Sequence, residues 1–190
     1  MPAWGKKQTD DWDRLSNFVY ELPSYEQFLD KIAALNFPAA FNDYAIHRWY
    51  NVLSASGVEQ IFCDNNFVIP HKNKRDKLVD FSIHGIDFDH KTTVFPRGFN
   101  KQYSEAKSNP ADLIKWLYAA QSKEGRYHTA NRLFIVLHHS EGRHWQLRRE
   151  LSLLKPIIDR YVQDFCAEKL FCLDLIPGQT TYADIIWFEQ

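Results

Sequence analysis

Apolar and polar positions alternate on both sides of His84-Gly85, from Val79 to Lys91, with the period of two that marks half-buried β-strands. A two-residue loop with glycine second predicts a tight hairpin turn, because glycine takes positive φ freely and histidine tolerates it better than most residues. Counting outward from that turn pairs Ile83 with Ile86, Ser82 with Asp87, Phe81 with Phe88 and Asp80 with Asp89. Val79, Phe81, Ile83, Ile86 and Phe88 then line a core face, and Asp80, Ser82, Asp87, Asp89 and Lys91 share the other.

Helical periodicity dominates elsewhere. Ser24 predicts an N-cap for a helix to about Asn36 with Phe28, Ile32 and Leu35 as its apolar stripe, and a second helix spans about Ala39 to Cys63 with Trp49, Leu53, Val58 and Phe62 inward. Asn66 to Pro70 reads as a first strand, and Pro96 and Gly98 end the hairpin. Asn109-Pro110 opens a helix through Leu113, Trp116, Leu117 and Ala120. The unbroken apolar run Leu133 to Leu137 predicts a strand buried on both faces. A long helix from about Trp145 to Lys169 is expected to kink or break at Pro156, and strands Leu170 to Asp174 and Ala183 to Phe188 close the chain.

Composition frames this as one globular domain over residues 1–190, with 1–23 as a peripheral arm anchored by Trp4, Trp12, Phe18 and Tyr20. No long apolar run occurs, so no membrane partner is expected, and Cys63, Cys166 and Cys172 lack metal-ligand spacing, as expected of small buried thiols in the cytoplasm. The formal net charge of −1 gives no overall attraction to a polyanion. Nucleic-acid contact would have to come from local clusters, first Lys72, Lys74, Arg75 and Lys77, which lead directly into the strand of Asp80, then Arg143, His144, Arg148 and Arg149.

Two carboxylates opposed across a hairpin repel each other unless a cation or proton lies between them, so Asp80 and Asp89 predict a divalent metal, with Lys91 one step further along the same face. A metal lowers the pKa of a bound water and neutralises phosphate, and an adjacent ammonium orients that water, which is the apparatus of phosphodiester hydrolysis.

The pattern Asp80, then Asp89-His90-Lys91 on the next strand, resembles the PD-(D/E)XK, or restriction-endonuclease-like, nuclease superfamily, with Val79 in place of the proline. The resemblance implies an α/β fold with an αβββαβ core over residues 39–138, a mixed central sheet flanked by helices. It implies Mg²⁺, with Mn²⁺ as substitute, bound by Asp80, Asp89 and the main-chain carbonyl of His90, whose imidazole points to the opposite face. It further implies a helical glutamate, here Glu59, a polar residue after the hairpin, here Gln121, and phosphate contacts from Lys123, Arg126 and Arg132. The expected activity is endonucleolytic cleavage of DNA, and a homodimer is compatible with it. The alternative is a nuclease fold kept as a catalytically inactive nucleic-acid-binding or assembly subunit.

Zinc is the weaker metal reading. His138 and His139, adjacent on a strand, point to opposite faces, so only one of them could join His144. No Gly-rich phosphate loop, CxxC pair or Gly-x-Ser-x-Gly elbow occurs, which leaves kinase, dinucleotide-enzyme and serine-hydrolase readings without support.

Overall fold

A computed structural model describes residues 10–71, 78–120 and 129–190. It divides the chain into two compact units, Met1–Gly57 and Val58–Gln190.

In the first unit, α1 (Asp10–Leu15) and a 3-10 turn at Asn17–Tyr20 precede α2 (Tyr25–Leu35) and most of α3 (Ala39–Cys63). Of the stretch expected as a peripheral arm, Trp4 lies outside the described residues, and Trp12, Phe18, Val19 and Leu22 pack with Phe28, Ile32, Phe41 and Trp49. Ser24 stands at the N-cap of α2 in extended backbone, but its side chain makes no capping bond. Its carbonyl instead accepts the Phe28 amide. Arg48 is the polar centre of this unit, donating to the Asp13 carbonyl and to Ser16 Oγ, Asn17 Oδ1 and Tyr20 OH.

The second unit is a mixed α/β domain. Its six strands are β1 (Val68–Pro70), β2 (Phe81–Ile83), β3 (Ile86–Val94), β4 (Arg132–His138), β5 (Phe171–Ile176) and β6 (Gln179–Glu189), in the spatial order β1-β2-β3-β4-β6-β5. The β1–β2, β2–β3 and β5–β6 pairs are antiparallel, whereas β4 lies parallel to β3 and β6. β4 is fully inside, as its unbroken apolar run requires: Leu133, Ile135 and Leu137 face one core, Phe134 and Val136 the other. The first core takes Val58, Ile61 and Phe62 from the end of α3 and Leu154, Ile158 and Val162 from α6 (Leu151–Gln163). The second takes Ala106 from α4 (Tyr103–Ser108) and Leu113, Ile114 and Leu117 from α5 (Pro110–Ala120).

Pro156 neither breaks nor ends α6. The proline is exposed in the second turn, where the carbonyl that loses its partner can turn to water. The predicted long helix is interrupted at Glu150 instead, after a 3-10 stretch at His144–Arg149, and ends at Gln163 ahead of a 3-10 turn at Ala167–Lys169. All three cysteines are free, Cys63 and Cys166 half-buried and Cys172 exposed rather than buried as expected. Among the described residues no helix is long and apolar enough to cross a membrane.

Candidate active site at the fork of β2 and β3

The hairpin forms in the register that its turn dictates, with Phe81 opposite Phe88, Ser82 opposite Asp87 and Ile83 opposite Ile86. His84 at φ 49° and Gly85 at φ 83° supply the two left-handed residues of the turn. Phe81, Ile83 and Phe88 are fully buried in the core beneath α3 and α6.

The ladder stops one step short of the predicted pairing of Asp80 with Asp89. The Asp80 amide donates to the Phe88 carbonyl at 2.9 Å, so the chain does not step on to Asp89. Its carboxylate turns to His90, where Oδ2 accepts the backbone amide at 2.8 Å and faces the ring Nδ1 at 2.6 Å. Strict alternation had assigned Asp80 to the face of Asp89 and Lys91; the end of the ladder releases it from that alternation.

β3 runs six residues beyond Phe88 and pairs there with β4. The Asp89 amide donates to the Asn131 carbonyl and the Phe95 amide to the Leu137 carbonyl, so odd-numbered backbone groups of this stretch point to β4. His90 therefore points its amide and carbonyl to the β2 side, beyond the last ladder pair. Asp80 Oδ2 takes the place of a strand carbonyl for that amide. Asn131 ties the strands together below the site, donating to the Asp87 carbonyl at 3.0 Å and accepting the Tyr182 amide at 2.8 Å.

Asp89 stands opposite Arg132 in the parallel ladder, and Arg132 Nε donates to Asp89 Oδ2 at 2.5 Å. The guanidinium lies over the rings of Tyr118 and Phe134, at 5.5 and 5.7 Å from their centroids. Sequence reading had given Arg132 a phosphate; the structure gives it a carboxylate in the same sheet. Lys91, two residues on, shares the Asp89 side of β3 and is exposed.

Electrostatics separates the two acids. Burial works to raise the Asp80 carboxyl, but the ring, charge and amide of His90, aided by Arg132, outweigh it and hold Asp80 below the ordinary carboxylate range. At Asp89 burial prevails over Arg132, the charge of Asp80 adds to it, and the pKa rises. Cys63, at the end of α3, is pushed up to about 11 by burial and by the charges of Glu59, Asp64 and Asp80.

Each acid commits Oδ2 to a protein donor, and among the described residues Oδ1 of each carries no hydrogen bond. Together with the His90 carbonyl, these are hard oxygen donors, the kind that Mg²⁺ takes. Among the described residues no set of three or more His, Cys, Asp or Glu side chains is arranged to hold a metal. Glu59 is half-buried on α3. Gln121, Lys123, Arg126, Lys72, Lys74, Arg75 and Lys77 lie outside the described residues.

Two contributors were not read from the sequence: the imidazole of His90 as a partner of Asp80, and Arg132 as a partner of Asp89. A signal for the first was present, since a histidine assigned to a phenylalanine-lined face needs a polar partner. The second needed the parallel register of β3 and β4, which no local pattern encodes.

The zinc reading loses two ligands. His144 Nδ1 accepts the His139 amide at 2.7 Å and His139 Nδ1 accepts the Glu141 amide at 3.0 Å. Each ring then carries its proton on Nε2, the nitrogen that a metal would need.

No protein-family model, curated protein or solved structure matches this chain.

Proposed function

We propose that this chain is a metal-dependent phosphodiesterase acting on DNA, built on a restriction-endonuclease-like core. The carrying observation is the fork itself: Asp80 binds the amide and ring of His90, the neighbour of Asp89 on β3, with Lys91 one side-chain step beyond Asp89 on the same side of the strand. The order α3, β1, β2, β3, then helices α4 and α5, then β4, with β2 antiparallel and β4 parallel to β3, supports the same reading. So does the distribution of apolar residues. The core beneath α5 draws on β4, β5 and β6, whereas Ser82, Asp87, Asp89 and Lys91 give the neighbouring half of that sheet side a polar surface.

In this reading Asp80 and Asp89 offer oxygen ligands through Oδ1, and the His90 carbonyl offers a third from the open side of β3. A bound Mg²⁺ supplies charge neutralisation at phosphate and a more acidic water. Lys91 orients the attacking water and opposes the charge that develops on phosphate. Glu59 adds a carboxylate from α3, and the basic residues Lys72, Lys74, Arg75 and Lys77 contact phosphates flanking the scissile bond.

A specific observation favours a second reading, a nuclease fold that binds nucleic acid or a partner without cutting. His90 and Arg132 already donate to Oδ2 of the two carboxylates, so each acid has a structural partner without a metal. Supercoiled plasmid and short RNA incubated with Mg²⁺, Mn²⁺ or EDTA distinguish the two. Metal-dependent nicking that Asp89→Asn abolishes supports the enzyme; nucleic-acid binding with neither metal uptake nor cleavage supports the binding subunit. Cleavage confined to RNA would replace the substrate.

A further inference from the structure

We propose that the His90 imidazole is a positioning residue for this site, holding the Asp80 carboxylate through Nδ1 so that the other carboxylate oxygen is the one presented to metal. The inference rests on the phosphodiesterase reading and adds a side-chain role to a residue that reading uses only for its carbonyl.

Strand pairing fixes the backbone of Asp80 but not its side chain. Asp80 precedes the three-residue strand β2, its amide bound to the Phe88 carbonyl and its carbonyl to the His71 amide. The carboxylate would otherwise sample several rotamers and present either oxygen. His90 removes that freedom with two donors from one residue onto one oxygen, at 2.8 Å from the amide and 2.6 Å from the ring. The ring cannot follow the carboxylate away. Its side chain is 6% exposed, against 25% for Asp80, and it lies at 6.0 Å from the Phe81 ring and 6.3 Å from Phe62. Those two phenylalanines stack on each other at 4.5 Å. A carboxylate accepts only, so Nδ1 carries the proton and donates. The chain of support runs from the α3 core, through an aromatic wall and an imidazole, to one oxygen of one acid.

Three substitutions separate the donor from the ring. In His90→Asn the amide nitrogen sits on Cγ, where Nδ1 sat; in His90→Gln it is one bond further out; His90→Phe keeps the stacking and has no donor. All three keep the backbone amide and carbonyl. Mn²⁺ affinity by calorimetry and plasmid cleavage are measured on each, with thermal melts in EDTA on the same preparations. Partners that orient metal ligands typically contribute about 10–100-fold to affinity or activity. The expected result is a loss of that size in His90→Phe and His90→Gln, with His90→Asn restored to within about threefold of the wild type. If His90→Phe does not fold, the Asn and Gln pair decides. Wild-type-like metal binding and cleavage in His90→Gln, or an Asn variant as impaired as the Gln variant, overturns the proposal while leaving the phosphodiesterase reading intact. A wild-type protein that takes up no metal overturns both.

Discussion

Arg132 and Asp89 face each other across the parallel ladder of β3 and β4 as a largely buried ion pair, with the guanidinium over the rings of Tyr118 and Phe134. A buried pair of this kind is asymmetric: removing one partner leaves the other charge in a medium that solvates it poorly, at a cost on the order of 3–5 kcal/mol. Arg132→Leu should therefore lower stability by roughly that amount, and adding Asp89→Asn to it should recover a substantial part. Chemical denaturation of the two single variants and the double variant in EDTA checks this. Additive losses would mean that the pair carries no coupling.

The two acids of the fork should respond to pH in opposite directions. Asp80 is held below its unfolded value, so its contribution is fully present above about pH 3.9 and is lost as pH falls through the folded value. Asp89 is held above, so the folded state gains from its proton at low pH and loses that gain as pH rises from about 3.9 through the folded value. The stability difference between wild type and Asp80→Asn should accordingly grow in favour of the wild type on going up through the acid range, while the difference from Asp89→Asn shifts toward the variant. Denaturant titrations at a series of acid pH values read both slopes. Parallel slopes would refute the assignment of the shifts.

How much of this was visible in the chain depends on the range of the interaction. The His84-Gly85 turn, the register of β2 on β3 and the double burial of Leu133 to Leu137 are local patterns, and the structure has all three. What failed was longer in range or finer in scale. The ladder ends at Phe81 because the Asp80 amide bonds to the Phe88 carbonyl and the chain does not step on to Asp89, so alternation could not be carried to Asp80. Arg132 met Asp89 through a parallel pairing of strands 43 residues apart. Helix α4 was missed although Gln102 and Glu105 form a capping box at its start, because six residues are too few to show an apolar stripe.

The chemistry and the grip on substrate should be separable by mutation. Lys91→Ala is expected to keep metal and DNA binding while lowering the cleavage rate by about 10²-fold or more, since an ammonium aimed at developing charge acts mainly in the transition state. Alanine at Lys72, Lys74, Arg75 and Lys77 should do the converse, weakening binding and flattening its dependence on salt as fewer counterions are released. Plasmid cleavage and fluorescence-anisotropy titrations at several salt concentrations give both quantities. A Lys91→Ala protein that cuts at the wild-type rate removes Lys91 from the mechanism.

Arg48 offers a test of the first unit. Its guanidinium binds the Asp13 carbonyl, Ser16 Oγ, Asn17 Oδ1 and Tyr20 OH, and stacks at 5.1 Å over the Tyr20 ring, so one α3 side chain gathers α1, the 3-10 turn and the link between them. Lysine keeps the charge but not the planar fork that reaches several acceptors at once. Arg48→Lys should therefore destabilise the fold and Arg48→Met more so, the latter by about 2–4 kcal/mol, because it strands the buried Ser16 hydroxyl as well as removing the cation. Proteolysis provides the sharper readout. With the clasp gone, cleavage should appear first between Asp10 and Leu22 while the segment from Val58 onward stays protected, since the unit that holds Asp80 and Asp89 has its own core. Simultaneous loss of protection in both segments would show that Arg48 supports the whole chain rather than its first unit.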